Sequence, residues 1–475
     1  MQDAAPPPGI SVEDWEATPV AVRRLVTELL QRLAQLEIRL KQTSQNSSKP
    51  PSSDPPQAKP RPAKAPSGRK TGGQPGHTGH RRQWKPESAV DHIINVRPEQ
   101  CGPCGTLLLG EDPEPERHQV TDFPRITPIV TEYRRHRLYC LGCGACTQAP
   151  WPTAMPMGSF GPRVQATVGY LTGRIGASQR EVQDILATLC QTEVSVGSIT
   201  ALEQAVSSAL GTPVAEARKY VQRQPVRNAD ETSWREKSKR AWLWISVTPL
   251  VTIFQLLKTR GAAGAKKLLG EEVWGTIGTD HYAGYHWIDP RQRQLCWAHL
   301  KREFVAWSQR AGETARIGLA LLAAEQQLFT LWYRVRDGTL AWADFQVAML
   351  PVMARVRVLL EEGVAGTDAK VQGTCRNLLK REAALWTFVW EAEVEPTNNR
   401  AERALRRAVL WRRRSFGTQS EAGSQFVERI LTAVTTLRQQ HRDVLDYLTA
   451  ACAAAICQTP APSLLPLTSP PLSAR

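Results

Sequence analysis

Residues 241–257, AWLWISVTPLVTIFQLL, are the one stretch of this chain that imitates a membrane span, and how they fold decides the class of the whole. A spanning helix needs about 20 consecutive apolar residues, whereas this run is shorter and Pro249 interrupts it. Residues 242–247 and 251–256 read better as two β-rich strands turned at Thr248-Pro249-Leu250. The flanks extend the pattern. A strand ending near Asp230 comes before the hairpin, and a Gly/Ala/Lys segment follows it. A strand over Thr276–Thr279 then delivers Asp280, and a short strand at 294–298 precedes a helix starting near His299. Mixed α/β structure is the expectation for this half.

At 475 residues the chain is too long for one ordinary core, and about three domains is the prior. Hydrophobic content of 41% is ample for globular folding. The net charge of +15, from 60 Lys+Arg against 45 Asp+Glu, suggests a polyanionic partner; a merely soluble basic protein is the alternative. MQDAAPPPGI has neither the basic start nor the apolar core of a signal peptide, so a cytoplasmic, nucleoid-associated protein without membrane contact is expected. Five of ten cysteines crowd into residues 101–146, which argues for metal rather than disulfides.

Val22, Val26, Leu29, Leu33, Leu36 and Leu40 alternate four and three apart, so residues 18–42 read as a coiled-coil helix that pairs protomers, or as an amphipathic helix on its own protein. Residues 43–85, rich in Ser, Pro, Gly, Lys and Arg, cannot bury a core and are expected to be a disordered basic linker. Within 86–155, Cys101-Gly-Pro-Cys104 and Cys140-Leu-Gly-Cys143 form two knuckles separated by 35 residues of strand-like character. Each presents two thiolates to one tetrahedral, structural Zn²⁺, with the following glycine permitting the turn; a redox pair is the alternative, which the presence of two knuckles disfavours. Cys146 is spare, and His118 and His136 are weaker candidates. Residues 160–222 read as helical, with N-caps at Ser178 and at Ser195 or Ser198. A helix-turn-helix is one reading; the second helix carries no Lys or Arg, and ordinary packing is the other. Residues 456–475 are expected to form a flexible tail.

Three acids stand out by context: Asp230 in NADET, Asp280 in GTDHYAGY, and Glu402 in NNRAERALRR on a basic helix. Hard cations take oxygen ligands, and two of them about 3.5–4 Å apart stabilise the attacking and leaving oxygens of an in-line displacement at phosphorus. The order strand, hairpin, strand, helix-borne acid is that of a ribonuclease-H-like core. Arg403, Arg406, Arg407, Arg412 and Arg413 surround or follow Glu402 and suit phosphate contacts; a solvated basic helix explains them too, but not Asn398-Asn399. Cys296 and His299 have a C-x-x-H spacing that reads better as a packed strand-to-helix junction than as a metal site. His299 would contact DNA or orient water. Glu231 is an alternative acid, though strand neighbours point to opposite faces.

The segments VRNADETSW, TDHYAGY, CWAHLKREF and TNNRAERALRRAVLWRR resemble the blocks of bacterial transposases of the insertion-sequence-sixty-six family. NSSKPPSSD, GQPGHTGH and CGPCG are similar to that family's amino-terminal half, so the resemblance spans about residues 20–455. It implies an acidic catalytic triad of Asp230, Asp280 and Glu402 binding two Mg²⁺ or Mn²⁺ ions. These would sit in a catalytic domain over 223–455, interrupted by a helical insertion at about 305–392 that accounts for the surplus among the 121 residues between Asp280 and Glu402. It also implies cleavage at the element's ends, strand transfer into target DNA, assembly as a homo-oligomer on terminal inverted repeats, and small accessory proteins as partners. The alternative is a catalytically inactive, zinc-containing DNA-binding protein or repressor.

Overall fold

The computed structural model describes residues 6–7, 9–40 and 83–466. Nearly all of the linker expected at 43–85, the last two residues of the helix expected at 18–42, and residues 467–475 lie outside them. The chain divides into two units, one of residues 58–128 and one of residues 1–57 with 129–475.

In the smaller unit Lys85 and Gln119 exchange two hydrogen bonds of 2.9 and 3.0 Å. Arg117 lies over the Trp84 ring. In the larger unit, Ser11 caps α1 (Val12–Ala17), and α2 (Val20–Leu40) follows. Val22, Leu29, Leu33 and Leu36 are exposed along α2. β1 (Arg137–Tyr139) and β2 (Cys146–Gln148) form a small antiparallel hairpin. Between the two knuckles β1 is the only strand, short of the strand-like stretch that the residues suggest. Val120, Phe123 and Ile129 are exposed there, so no buried face drives a sheet.

α3 (Pro162–Gly169) runs into a π-helical turn at Tyr170–Ile175, followed by α4 (Gln179–Cys190), α5 (Val196–Ala209) and α6 (Gly211–Gln222). The two expected caps form: Ser178 makes a reciprocal capping box with Glu181, and Ser195 caps α5. α5 turns Ile199 and Leu202 onto Val182 and Leu186 of α4, and Val206 onto a second cluster with Ile430 and Leu448. Its apolar surface is spent on packing.

The central sheet follows: β3 (Val226–Glu236), β4 (Lys239–Val247), β5 (Thr252–Leu257), α7 (Ala262–Leu269), β6 (Thr276–Thr279) and β7 (Arg293–Leu295). Their order is β5-β4-β3-β6-β7, antiparallel within the first three and parallel from β3 through β7. The apolar run is the expected hairpin, with Pro249 in the turn where no ladder N–H is required. β3 is longer than expected: Asp230 lies inside the strand, not at its end, because β4 pairs with β3 through Glu236.

Helices complete the unit: α8 (Trp297–Ser308), α9 (Gly312–Arg336), α10 (Trp342–Ala365), α11 (Ala369–Lys380), α12 (Ala383–Trp390), α13 (Asn399–Ser415), α14 (Glu421–Gln439) and α15 (Val444–Ile456). α8 to α12 share an aromatic-rich core that includes Trp297, Phe304, Trp332, Phe345 and Phe388.

Both sheet edges are covered, which removes the unpaired backbone that invites other strands. On β5 the amides of Thr252, Phe254 and Leu256 donate to the side chains of Thr436, Thr432 and Glu428, four residues apart along α14. On β7, Gln294 accepts from the Phe388 amide of α12 and Thr387 donates to the Arg293 carbonyl. Part of the stretch expected to be a flexible tail also packs: Leu464 is fully buried, and Tyr447 donates to the Pro462 carbonyl.

Candidate functional site

β3 presents two carboxylates to its two faces. Asp230 pairs in register with Ile245, which belongs to the cluster formed with Ala401, Leu405 and Ala408 of α13. Glu231 pairs with Trp244, which packs on Leu268, Leu269 and Tyr285. The period of two along a strand separates them. The parallel register Asn228–Gly278, carried two residues on, sets Asp280 beside Asp230 at the carboxyl end of β6. That approach needs glycine at 278, since a Cβ there would meet Asn228 Nδ2 at 2.5 Å.

Glu402 arrives from the first turn of α13, where a carboxylate complements the positive end of the helix. Asn398, fully buried just before the helix, fixes that arrival. It accepts from Asn228 Nδ2 at 2.9 Å, donates to the Ala229 carbonyl at 2.7 Å, and sends its amide to the Cys296 sulfur at 3.1 Å. Each such bond nets about 0.5–1.5 kcal/mol, but an orphaned buried partner costs roughly 1–3 kcal/mol, so the network holds α13 to β3 and to the β7–α8 junction. Arg293 does the same for Asp280. Its buried guanidinium donates to the Thr279 hydroxyl at 2.8 Å and to the Asp280 carbonyl at 2.7 Å, and burial lowers its pKa to about 10.

The electrostatics of the two β3 carboxylates differ. Burial pushes Asp230 well above the usual carboxylate range, and the charges of Asp280, Glu231 and Glu402 push it further. Its Oδ1 accepts from the Glu231 amide at 2.8 Å, and Asp280 Oδ1 accepts from the Tyr282 amide at 3.0 Å. Among the described residues neither carboxylate is ion-paired with a lysine or arginine. Glu231, raised to about 6 chiefly by burial and by Asp280, is instead neutralised by Arg260 at 2.9 Å and bonded by Tyr285 Oη at 2.7 Å. Glu402 Oε1 lies 3.5 Å from His299 Nδ1 and 3.8 Å from Arg302 Nη2 without a hydrogen bond to either. Burial lowers the His299 pKa against the pull of Asp280 and Glu402, and burial pushes the Cys296 thiol up to about 12. Carboxylates that repel one another, one with an orphaned buried oxygen, suit divalent cations with oxygen preference.

The expected junction at Cys296 and His299 is indeed packed, yet the fold also brings Glu402 to it. The arginines of α13 divide. Arg407 donates to the Arg174 carbonyl, and Arg412 to the hydroxyls of Thr232 and Ser233 at 3.0 and 2.7 Å, so both are engaged by their own protein. Arg403, Arg406 and Arg413 lie exposed at helical spacing with Leu410. Asn228, Arg293 and Asn398 were not singled out from sequence as site residues; the unexplained Asn398-Asn399 pair was the one available signal.

The two knuckles share one turn. In each, the first cysteine's amide donates to the residue five on, at 2.9 Å for Cys101 and 2.8 Å for Cys140, and its carbonyl accepts at 2.8 Å from Gly105 or Gly144. Those glycines have φ of 72° and 71°, a region that disfavours side chains. Hydrogen bonding with Thr106 lowers the Cys104 pKa, and that with Cys143 and Gly142 lowers that of Cys140, which favours the ligating thiolate. Cys101 and Cys104 belong to the smaller unit and Cys140 and Cys143 to the larger.

Comparison with known families matches residues 158–426 to the transposase IS66 family. Residues 98–144 match the zinc-finger binding domain of transposase IS66, and residues 5–83 match a family of unknown function (DUF6444). The uncharacterized protein y4hP of Sinorhizobium fredii (strain NBRC 101917 / NGR234) is 24% identical over 413 residues, 78% of this chain and 72% of that protein. The uncharacterized protein y4qI of the same organism is 25% identical over 236 residues, 45% of this chain and 43% of that protein. Among the described residues, no helix is long and apolar enough to cross a membrane.

Proposed function

The chain belongs to the transposase IS66 family, and from that premise we propose that it cleaves DNA at the ends of an insertion sequence and joins them to target DNA. The observation that carries this reading is the convergence of Asp230, Asp280 and Glu402 from a strand, the end of its parallel neighbour and a helix. We take the sheet as a ribonuclease-H-like core with α9 to α12 as its helical insertion; the mixed strand order and the position of each acid support this.

Asp230, Asp280 and Glu402 would hold two Mg²⁺ or Mn²⁺ ions, which supply charge stabilisation for the attacking and leaving oxygens. The chain's own residues prepare the site. Asn398 and Arg293 fix where Glu402 and Asp280 stand, and Arg260 neutralises Glu231 so that it stays out of the reaction. Water attacks first, releasing a 3′-hydroxyl that attacks target DNA second, so no side-chain nucleophile is needed. The exposed face of Arg403, Arg406 and Arg413 lies along the phosphates, with His299 beside the strand.

From the zinc-finger match over residues 98–144, Cys101, Cys104, Cys140 and Cys143 would supply the thiolates for one structural Zn²⁺. This module and the helices of 160–222 engage the terminal repeats. The exposed leucines of α2 pair two protomers in a coiled coil. The test is a cleavage and joining assay on labelled end DNA. Mg²⁺-dependent nicking and joined product are expected; specific end binding without either would make the protein an inactive DNA-binding relative.

A further inference from the structure

Beside the three acids lies a donor set of different chemistry. Cys296 Sγ, a ring nitrogen of His299 and a Glu402 carboxylate oxygen all fall within 4.8 Å of one another. His299 Nδ1 and Glu402 Oε1 are buried and 3.5 Å apart, and among the described residues neither has a hydrogen-bond partner. Two orphaned groups side by side are costly to bury, and a cation bound to both satisfies them. Tetrahedral zinc, with bonds of about 2.0–2.2 Å to nitrogen and oxygen, spaces such donors about 3.4 Å apart. The observed 3.5 Å is close to that spacing. Arg302, at 3.8 Å from Glu402 Oε1, is the competing cation but stands beyond hydrogen-bond reach. The sulfur accepts the Asn398 amide at 3.1 Å, the kind of outer contact that orients a ligating atom. One sulfur, one imidazole and one carboxylate suit a borderline-soft ion and not Mg²⁺.

We propose that Cys296, His299 and Glu402 bind a thiophilic divalent cation such as Zn²⁺, and that this ion withdraws Glu402 from the three-acid site and so reversibly inhibits cleavage. Binding exchanges the thiol proton, released to solvent, for a sulfur–metal bond. The imidazole gives its Nδ1 lone pair and the carboxylate one oxygen, with a fourth position open to water. The inhibition rests on the role proposed for Glu402; the binding does not.

The test uses full-length protein whose knuckles are first loaded with one equivalent of Zn²⁺, which thiolate sites hold against Co²⁺. Titrated with Co²⁺, wild type should develop a sulfur-to-cobalt charge-transfer band, which carboxylate-bound Co²⁺ does not give, and the band should saturate at one cobalt–sulfur site per chain. Cys296→Ser should lose the band, and His299→Asn should weaken binding by at least about tenfold. No band in wild type, or an undiminished band in Cys296→Ser, overturns the site; should Cys296→Ser fail to fold, unweakened binding by His299→Asn does so. In the cleavage assay, micromolar Zn²⁺ should depress the wild-type Mg²⁺-dependent rate at least about tenfold and leave the rate of Cys296→Ser at its own zinc-free value. Equal depression of both overturns the inhibition. Wild-type cleavage by Glu402→Gln would overturn the inhibition through its premise, while the cobalt band still decides the site.

Discussion

Asp230 and Glu231 are neighbours on β3 with the same chemistry and opposite fates. Glu231 turns to the α7 face, where Arg260 and Tyr285 complete it and make it part of the structure. Asp230 turns to the α13 face, where its neighbours are other carboxylates and its hydrogen bond comes from the next residue's amide. A buried acid with a cation partner stabilises a fold; a half-buried acid among acids waits for a cation. The difference is set by what the opposite layers bring, not by the strand.

The largest expected effect breaks the pair apart. Asp230→Asn, Asp280→Asn and Glu402→Gln should each lower end cleavage more than about 100-fold, beyond the usual cost of losing an outer partner of a metal site, with end binding retained in gel-shift assays. Glu231→Gln should keep cleavage within about tenfold of wild type and lose thermal stability instead, because its contacts are structural. The reverse ranking would assign the metal role to Glu231.

Next in size, Asn398→Ala should lower cleavage by about 10- to 100-fold and raise the Mg²⁺ concentration needed for half-maximal rate, because α13 no longer holds Glu402 to β3. A matching loss of folded protein without a change in Mg²⁺ requirement would reduce Asn398 to a packing residue.

A smaller effect concerns pH. Asp230 and Glu231 bind protons more tightly folded than unfolded, so the metal-free protein is favoured below the ordinary carboxylate range and loses stability as pH rises, through about 6 for Glu231. In chelator at alkaline pH, Asp230→Asn should therefore melt above wild type, by about 2–4 °C for each 1 kcal/mol of repulsion relieved. Mg²⁺ should raise the melting temperature of wild type and leave that of Asp230→Asn unchanged.

The smallest effects separate the arginines of α13. Arg403→Ala or Arg406→Ala should each reduce the slope of log affinity against log salt by about 1. Arg412→Ala should leave the slope and lower the melting temperature, since Arg412 is spent on Thr232 and Ser233.

The sequence carried the acids because each sits at punctuation: Asp280 after the run Thr276–Thr279, and Glu402 inside an arginine-rich helix. The hairpin was legible because Pro249 interrupts an apolar run, and the caps at Ser178 and Ser195 because capping is a local hydrogen bond. What stayed hidden depends on partners far along the chain. Asn398 meets Asn228 across 170 residues, and α14 threonines close the β5 edge across 178 and 184 residues. No local pattern announces such pairs. Likewise Cys296 and His299 read as a packed junction until the fold brought Glu402 to them.

The most direct test of the central claim is to count bound Mn²⁺ by electron paramagnetic resonance on protein with zinc-loaded knuckles and end DNA. The account predicts two magnetically coupled Mn²⁺ ions per active site in wild type and in Glu231→Gln, and loss of the coupled pair in Asp230→Asn. A coupled pair that survives in Asp230→Asn but disappears in Glu231→Gln would contradict it.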